Sequence, residues 1–232
     1  MVEFIFGGFL IMKENKKKAQ ALTVSAIMIA FAVSISAICA AVPFINLPFG
    51  GGFTIASMLP IIVVAYMYGT RWGLLTAFAY SIMQMLLGFN TVSAFFLPGD
   101  SQMIWWRAII VCLLDYVLAY TVLGLGGAFR EKKNKTTALV LGSVFAISLR
   151  YIVHIVSGAI FFGAWAEWFF TQDGFPVWGA KILETFSGDM LSIIYSIIYN
   201  GTYMIPEIII TAIVACFVTR IPQIRKYDEF NT

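Results

Sequence analysis

The chain has 232 residues, of which 60% are hydrophobic and only 12% are charged, and its mean hydropathy is +0.88. A soluble domain normally carries about 25% charged residues, so this chain has too few polar side chains to cover a water-exposed surface. Its formal net charge of +3 comes from basic residues in short segments between apolar runs. This placement argues against a nucleic-acid-binding surface and predicts an integral membrane protein.

Apolar runs along the chain predict membrane-spanning helices, because about 20 apolar residues cross the hydrocarbon core of a bilayer. Suitable runs lie at residues 20–42, 54–70, 72–89, 104–129, 136–163 and 191–219. We therefore predict an all-α membrane protein with six transmembrane helices. The membrane domain covers 20–219; a leader and basic segment, 1–19, precedes it, and a basic and polar tail, 220–232, follows it.

The basic residues also predict the orientation of these helices. With a cytoplasmic N-terminus, only Lys181 lies in an outside segment, and Arg107 and Arg150 lie within helices. The inside segments then hold the other twelve: Lys13, Lys16, Lys17, Lys18, Arg71, Arg130, Lys132, Lys133, Lys135, Arg220, Arg225 and Lys226. This asymmetry follows the positive-inside rule, so both termini are predicted to be cytoplasmic.

The sequence contains no motif typical of a bound metal or cofactor. Cys39, Cys112 and Cys216 stand alone in apolar runs without metal-ligand spacing, which is typical of small buried hydrophobic residues. No glycine-rich phosphate loop followed by Lys-Ser or Lys-Thr occurs in the chain. We expect no metal, no cofactor and no ATP site here, so any nucleotide-driven step falls to a partner.

Three polar side chains lie at a similar depth in three predicted helices. At a rise of about 1.5 Å per residue, Asp115, His154 and Asn200 fall about 14–16 Å below the outer face. Ionisable groups at such depth usually face a bundle interior or a cavity. The sequence therefore predicts a polar pocket in the outer half of the membrane.

Aromatic residues surround this level, and Tyr195, Tyr199 and Tyr203 share one helix face. One carboxylate among aromatic rings suits a small, flat, partly cationic organic molecule. Two alternatives stay open. Tyrosine and tryptophan near the outer ends are also typical of interfacial belts, and Arg107, Arg150 and Glu207 are also expected as structural partners of other polar groups.

Small residues four apart, Ala26 and Ala30, mark the first helix. Such spacing lets another helix approach closely in lipid, either from a partner or from within the same bundle.

The apolar outside loop 42–53 is a candidate lid over the pocket. The long outside loop 164–190 has no chemistry that its residues assign.

Four segments carry a resemblance to a known family: Leu-Pro-Phe-Gly-Gly at 47–51, Leu-Leu-Asp-Tyr at 113–116, Arg-Tyr-Ile-Val-His-Ile-Val-Ser-Gly-Ala-Ile-Phe-Phe at 150–162, and Tyr-Ser-Ile-Ile-Tyr-Asn-Gly-Thr-Tyr-Met-Ile-Pro at 195–206. In their order and spacing, the chain resembles the thiamine-specific substrate-binding S-components (the ThiT family) of energy-coupling factor vitamin transporters. The resemblance runs from about residue 20 to about residue 220.

The resemblance implies roles for individual residues. Asp115, where other members can carry Glu, would hold the aminopyrimidine of thiamine, and Phe162 would stack on that ring. Ala26 and Ala30 would dock onto a transmembrane coupling subunit. The other implied ligand contacts are Tyr116, His154, Tyr195, Asn200 and, in a loosely aligned aromatic position, Trp105.

The resemblance further implies that the chain captures thiamine from outside a bacterial plasma membrane without altering it. A coupling subunit and ATP-binding subunits would drive its delivery inward.

An S-component for another vitamin, such as riboflavin or biotin, is the nearest alternative, but those vitamins do not need a buried acid opposite an amino-heterocycle. An intramembrane enzyme is disfavoured because the sequence contains no nucleophile or metal motif. A stand-alone secondary transporter should show internal repeats, and the sequence does not reveal any.

Overall fold

The computed structural model describes residues 2–43, 52–173 and 177–225, with only the backbone described for 2–14, 223 and 225. Most of the candidate lid over 42–53, together with the 47–51 segment, lies outside these residues. Helices and the segments that connect them make up the described part, which contains no β-strand. The predicted all-α fold is confirmed at this level.

The helices of the described part follow one another in chain order as α1 (Val2–Ala40), α2 (Leu59–Tyr68), α3 (Thr70–Leu87), α4 (Phe89–Ala94), α5 (Trp105–Phe129), α6 (Lys135–Phe161), α7 (Ala166–Phe170), α8 (Trp178–Thr185), α9 (Gly188–Val218) and α10 (Pro222–Arg225). Helices α5, α6 and α9, and the part of α1 from Asn15 onward, are long and apolar enough to cross a bilayer. Helix α1 runs without a break through the predicted leader and basic segment.

Helix α2 differs from the predicted 54–70 span. It has 10 residues, so it is about 15 Å long, whereas the hydrocarbon core of a bilayer is about 30 Å thick. Every residue from Leu59 to Met67 is buried, because α1, α3, α5 and α6 pack around it. This segment is apolar because it forms the protein core, and hydropathy alone does not distinguish a core helix from a helix that faces lipid.

Glycines let the backbones of α5 and α6 meet closely beside α2. A Cβ atom added to Gly142 of α6 would overlap the carbonyl oxygen of Gly126 in α5. A Cβ at Gly127 would likewise overlap the carbonyl oxygen of Ala65 in α2. This part of the bundle is therefore held by backbone-to-backbone contact, as is common where small residues pack in membranes.

The outer ends of α6 and α9 are covered by the segment predicted as a long loop over 164–190. It contains α7 and α8, and Phe169 and Phe170 of α7 are buried in a cluster with Leu191 and Tyr195 of α9. Burial of these apolar rings fixes the segment on the bundle and gives the neighbouring cavity one aromatic wall.

Candidate functional site

A cavity of about 840 Å³ opens between α5, α6 and α9. All but one of the predicted ligand contacts line it: Asp115, Tyr116, His154, Phe162, Tyr195 and Asn200. Trp105 lies outside the lining, and 69% of its surface is exposed. The structure therefore brings the predicted residues of three helices into one site and leaves Trp105 on the outer surface of α5.

A local irregularity of α5 places Asp115 and Tyr116 together. The helix forms a π-turn over Cys112–Leu118, which widens the turn by one residue and is frequent at functional sites. Two consecutive side chains, Asp115 and Tyr116, thereby both line the cavity. The phenol of Tyr116 also lies against Gly88, where an added Cβ would approach its hydroxyl oxygen to 2.6 Å.

Both oxygens of Asp115 are held by α6. The Nδ1 atom of His154 lies 3.0 Å from Oδ1, and the hydroxyl of Ser157 donates to Oδ2 over 2.9 Å. His154 and Ser157 are three residues apart and so share one helix face. The carboxylate is thus fixed from two directions while it still faces the cavity.

The geometry around His154 assigns its tautomer. A carboxylate oxygen accepts hydrogen bonds, so the Nδ1 atom beside Asp115 carries the proton. In the neutral ring, Nε2 is then an acceptor. This Nε2 is buried and has no hydrogen-bond partner among the described residues.

Asn200 connects α9 to α6 at the same level. Its Nδ2 donates to the Ser196 carbonyl over 2.8 Å and to the His154 carbonyl over 3.3 Å, while its Oδ1 accepts from the Tyr203 hydroxyl. Gly158 of α6 makes this approach possible, because a Cβ there would overlap the Ser196 hydroxyl. Asn200 therefore braces the site in addition to lining it.

Tyrosine rings form a continuous wall along α9. The ring centroids of Tyr195 and Tyr199 are 5.5 Å apart, and those of Tyr199 and Tyr203 are 6.3 Å apart. Phe169 packs edge-on against Tyr195 and Tyr199 at 5.4 and 5.6 Å. Since aromatic faces carry a negative quadrupole, this wall suits a delocalised organic cation.

The two arginines expected to be structural both line the cavity. Arg107 donates to the carbonyl of Ile160, near the end of α6, at 3.5 Å, as expected for a pairing with a helix end. Arg150 does not pair with Asp115; its guanidinium lies 4.2 Å from the centroid of the Tyr120 ring and contacts the Met58 sulfur at 2.9 Å. The sequence predicted a structural partner for Arg150 but did not identify Tyr120 as that partner.

Glu207 borders a second, smaller cavity of about 180 Å³. It accepts a hydrogen bond from the Thr54 hydroxyl at 2.8 Å and another from the Thr54 backbone N–H. The acid is thus bonded to the segment before α2, not to another helix. It serves as a structural anchor for that segment.

Sequence reasoning missed Ser157 and Tyr120 as parts of this site. A serine or tyrosine in an apolar run has no charge to single it out. Spacing could have found Ser157, because it lies three residues after His154 on the same helix face.

Ala26 and Ala30 lie on the exposed side of α1. Their exposure rules out the alternative in which they pack within this bundle. The opposite side of α1 is fixed to α3, where the Trp72 indole N–H donates to Ser25 over 2.8 Å. Large apolar neighbours, Ile27 and Phe31, are also exposed on α1, so this side faces lipid or a partner helix.

Known proteins match this chain along most of its length. A family model described as "Thiamine transporter protein" matches residues 22–178. The "Thiamine transporter ThiT" of Bacillus subtilis (strain 168) is 32% identical over 230 residues, which cover 94% of this chain and 100% of that protein. A solved structure of ThiT from Listeria monocytogenes matches with a TM-score of 0.59 and 20% identity, covering 90% of this chain and 98% of the other. At that identity the structural likeness shows the fold alone.

Proposed function

Because the chain belongs to the thiamine transporter family, as its motifs predicted, it is a multi-pass membrane transporter and not an enzyme. We propose that it is the substrate-binding component of an energy-coupling-factor importer. In this role it captures thiamine from outside and delivers it inward with partner subunits. The transporter itself makes and breaks no bond in the substrate.

The observation that carries the proposal is a carboxylate held from two sides in an aromatic cavity. Asp115 keeps free lone pairs beside those used by His154 and Ser157, since a carboxylate accepts about four hydrogen bonds. Thiamine offers matching chemistry, with amino donors on its pyrimidine ring and a cationic thiazolium ring.

The remaining contacts are those that the family resemblance implies, and their residues all line the cavity. In the proposed complex, Asp115 receives the amino group of the pyrimidine and Phe162 stacks on that ring. Tyr195 faces the ligand along the α9 wall, and His154 and Asn200 lie near the thiazolium ring. Tyr116 closes the cavity beside Asp115.

The proposed topology has six membrane-embedded helices, α1, α2, α3, α5, α6 and α9, with both termini in the cytoplasm. The distribution of basic residues supports this orientation. Helix α2 is too short to cross alone, but the non-helical segment before it is buried at Ala56, Ser57 and Met58. Irregular backbone at membrane depth is tolerated where protein surrounds it.

The exposed small residues of α1 support a docking role. We place the contact with a transmembrane coupling subunit at Ala26 and Ala30, where a partner helix can approach closely. ATP-binding subunits attach through that subunit. In this arrangement, residues 20–219 form the membrane domain of a bacterial plasma-membrane protein, and 1–19 and 220–232 are its cytoplasmic ends.

Uptake of labelled thiamine tests this function directly. Cells that contain the chain with a coupling subunit and ATP-binding subunits should accumulate thiamine, and cells with the chain alone should not. The Ala26→Leu/Ala30→Leu double variant should abolish uptake but still bind thiamine, because it blocks only the docking face. Ala180→Leu, exposed on α8 and outside the cavity lining, serves as the matched control. Uptake by the chain alone would identify a stand-alone transporter.

A further inference from the structure

Ser157 is a buried polar residue that the predicted site did not include. Its surface is 0% exposed, and its hydroxyl donates to Asp115 Oδ2 at 2.9 Å. Because no surface of Ser157 is open to solvent, water cannot take the place of this hydroxyl without a rearrangement of α5 and α6.

The contact restrains the side chain that faces the ligand. The Asp115 side chain is 20% exposed, and its oxygens are held at one end by His154 and at the other by Ser157. Rotation of the carboxylate about its terminal bond would break both hydrogen bonds together. Without Ser157, only the His154 contact opposes that rotation.

A carboxylate that is fixed before binding loses less conformational freedom when the ligand arrives. It also directs its remaining lone pairs in one direction, which fixes where a donor must lie. The same restraint keeps Oδ1 opposite His154 Nδ1, so it maintains the tautomer that leaves Nε2 as an acceptor.

We propose that Ser157 is a positioning residue for thiamine binding, which acts through Asp115 and, by way of Asp115, through His154. This inference rests on the proposed function, since it assigns a role within the same site. Ser157 does not itself touch the substrate. It orients the carboxylate that does.

Calorimetry of thiamine binding to the purified full-length protein in detergent tests this role. Ser157→Ala and the nearly isosteric Ser157→Cys, whose thiol is a weak donor, should each raise the Kd about 10-fold, as expected for loss of a hydrogen bond to a charged group. In an Asp115→Asn background, the same changes should alter the Kd less than about twofold, because residues that act through one another are not additive.

Nuclear magnetic resonance provides a readout that a merely structural role would not change. The chain contains one histidine, so labelling with ¹⁵N-histidine and removal of any affinity tag yields a single imidazole. Its Nδ1 should be protonated in the wild-type protein and should shift toward a mixture of tautomers in Ser157→Cys. The thermal midpoint, measured on the same samples, checks that the variant is folded.

Three results would overturn this proposal alone, and a fourth would overturn the proposed function with it. Wild-type affinity in a folded Ser157→Cys protein excludes a positioning role, and so does a loss of affinity that is equal with and without Asp115. An unchanged imidazole spectrum excludes the path through His154. If the wild-type protein itself fails to bind thiamine, the proposed function fails and this inference fails with it. Failure of the inference alone is recognised by wild-type protein that does bind thiamine.

Discussion

At the scale of single residues, the site depends on the carboxylate that faces the cavity. Asp115 lines the cavity and keeps lone pairs beyond those used by His154 and Ser157. An unpaired acceptor in a partly buried site costs free energy until a ligand donor reaches it. The site therefore favours a ligand with an N–H donor over an apolar ligand of equal size.

Asp115→Asn tests the carboxylate. The amide removes the charge and replaces one acceptor oxygen with a donor, so thiamine binding should weaken by about 1.5–3 kcal/mol if a charged hydrogen bond is lost. Titration calorimetry measures the change. Asp189→Asn, at an exposed residue outside the cavity lining, is the matched control. Unchanged affinity in the Asp115 variant would show that this acid is only structural.

The tryptophans of the outer half are a second residue-scale test. Trp168 lines the cavity, whereas Trp105 does not and is 69% exposed. Trp168→Ala should weaken thiamine binding by about 0.5–1.5 kcal/mol, since an aromatic contact is lost, and Trp105→Ala should change it by less than about 0.5 kcal/mol. A larger effect at Trp105 than at Trp168 would favour the role that the resemblance implied for Trp105.

At the scale of elements, α5 combines two kinds of packing. Its π-turn over Cys112–Leu118 directs polar residues into the cavity, and its glycine-rich end meets the backbones of α2 and α6. The end that carries no site residues is thus the more closely packed one. Rigid packing there fixes the direction in which the π-turn presents Asp115.

Gly142→Ala tests the close contact of α6 with α5. The added methyl group overlaps a backbone oxygen of Gly126, which cannot move aside as a flexible side chain would. Overpacking of this kind costs about 1–3 kcal/mol of unfolding free energy. The thermal midpoint in detergent should fall, while Leu141→Val on the neighbouring outward-facing residue should leave it nearly unchanged. Equal midpoints would mean that the two helices can separate freely at this point.

Sequence patterns predicted α5 and α6 well because length and hydropathy are enough to define them. The expected runs 104–129 and 136–163 compare with Trp105–Phe129 and Lys135–Phe161 in the structure. Helical rise then sufficed to bring Asp115 and His154 to one depth. Spacing could have placed Ser157 on the helix face of His154, but the tertiary contacts of α2 could not be predicted, because they depend on which neighbours cover an apolar segment.

At the scale of the whole molecule, polar chemistry is concentrated in the cavity between α5, α6 and α9 and in the smaller one beside Glu207. Arg150, Tyr120 and Tyr203 line both cavities, so the two cavities lie next to each other. The surface of the described spans is largely apolar, as lipid requires. This concentration of polar groups inside the bundle fits a protein that holds one small substrate at a time.

Thiamine binding by the purified wild-type protein tests the central claim most directly. Quenching of intrinsic tryptophan fluorescence, followed with thiamine, riboflavin and biotin in parallel, measures it in one experiment, because Trp165 and Trp168 line the cavity. The account predicts saturable quenching by thiamine, with one site per chain, and none by riboflavin or biotin at the same concentrations. Saturable binding of riboflavin or biotin without binding of thiamine would contradict it.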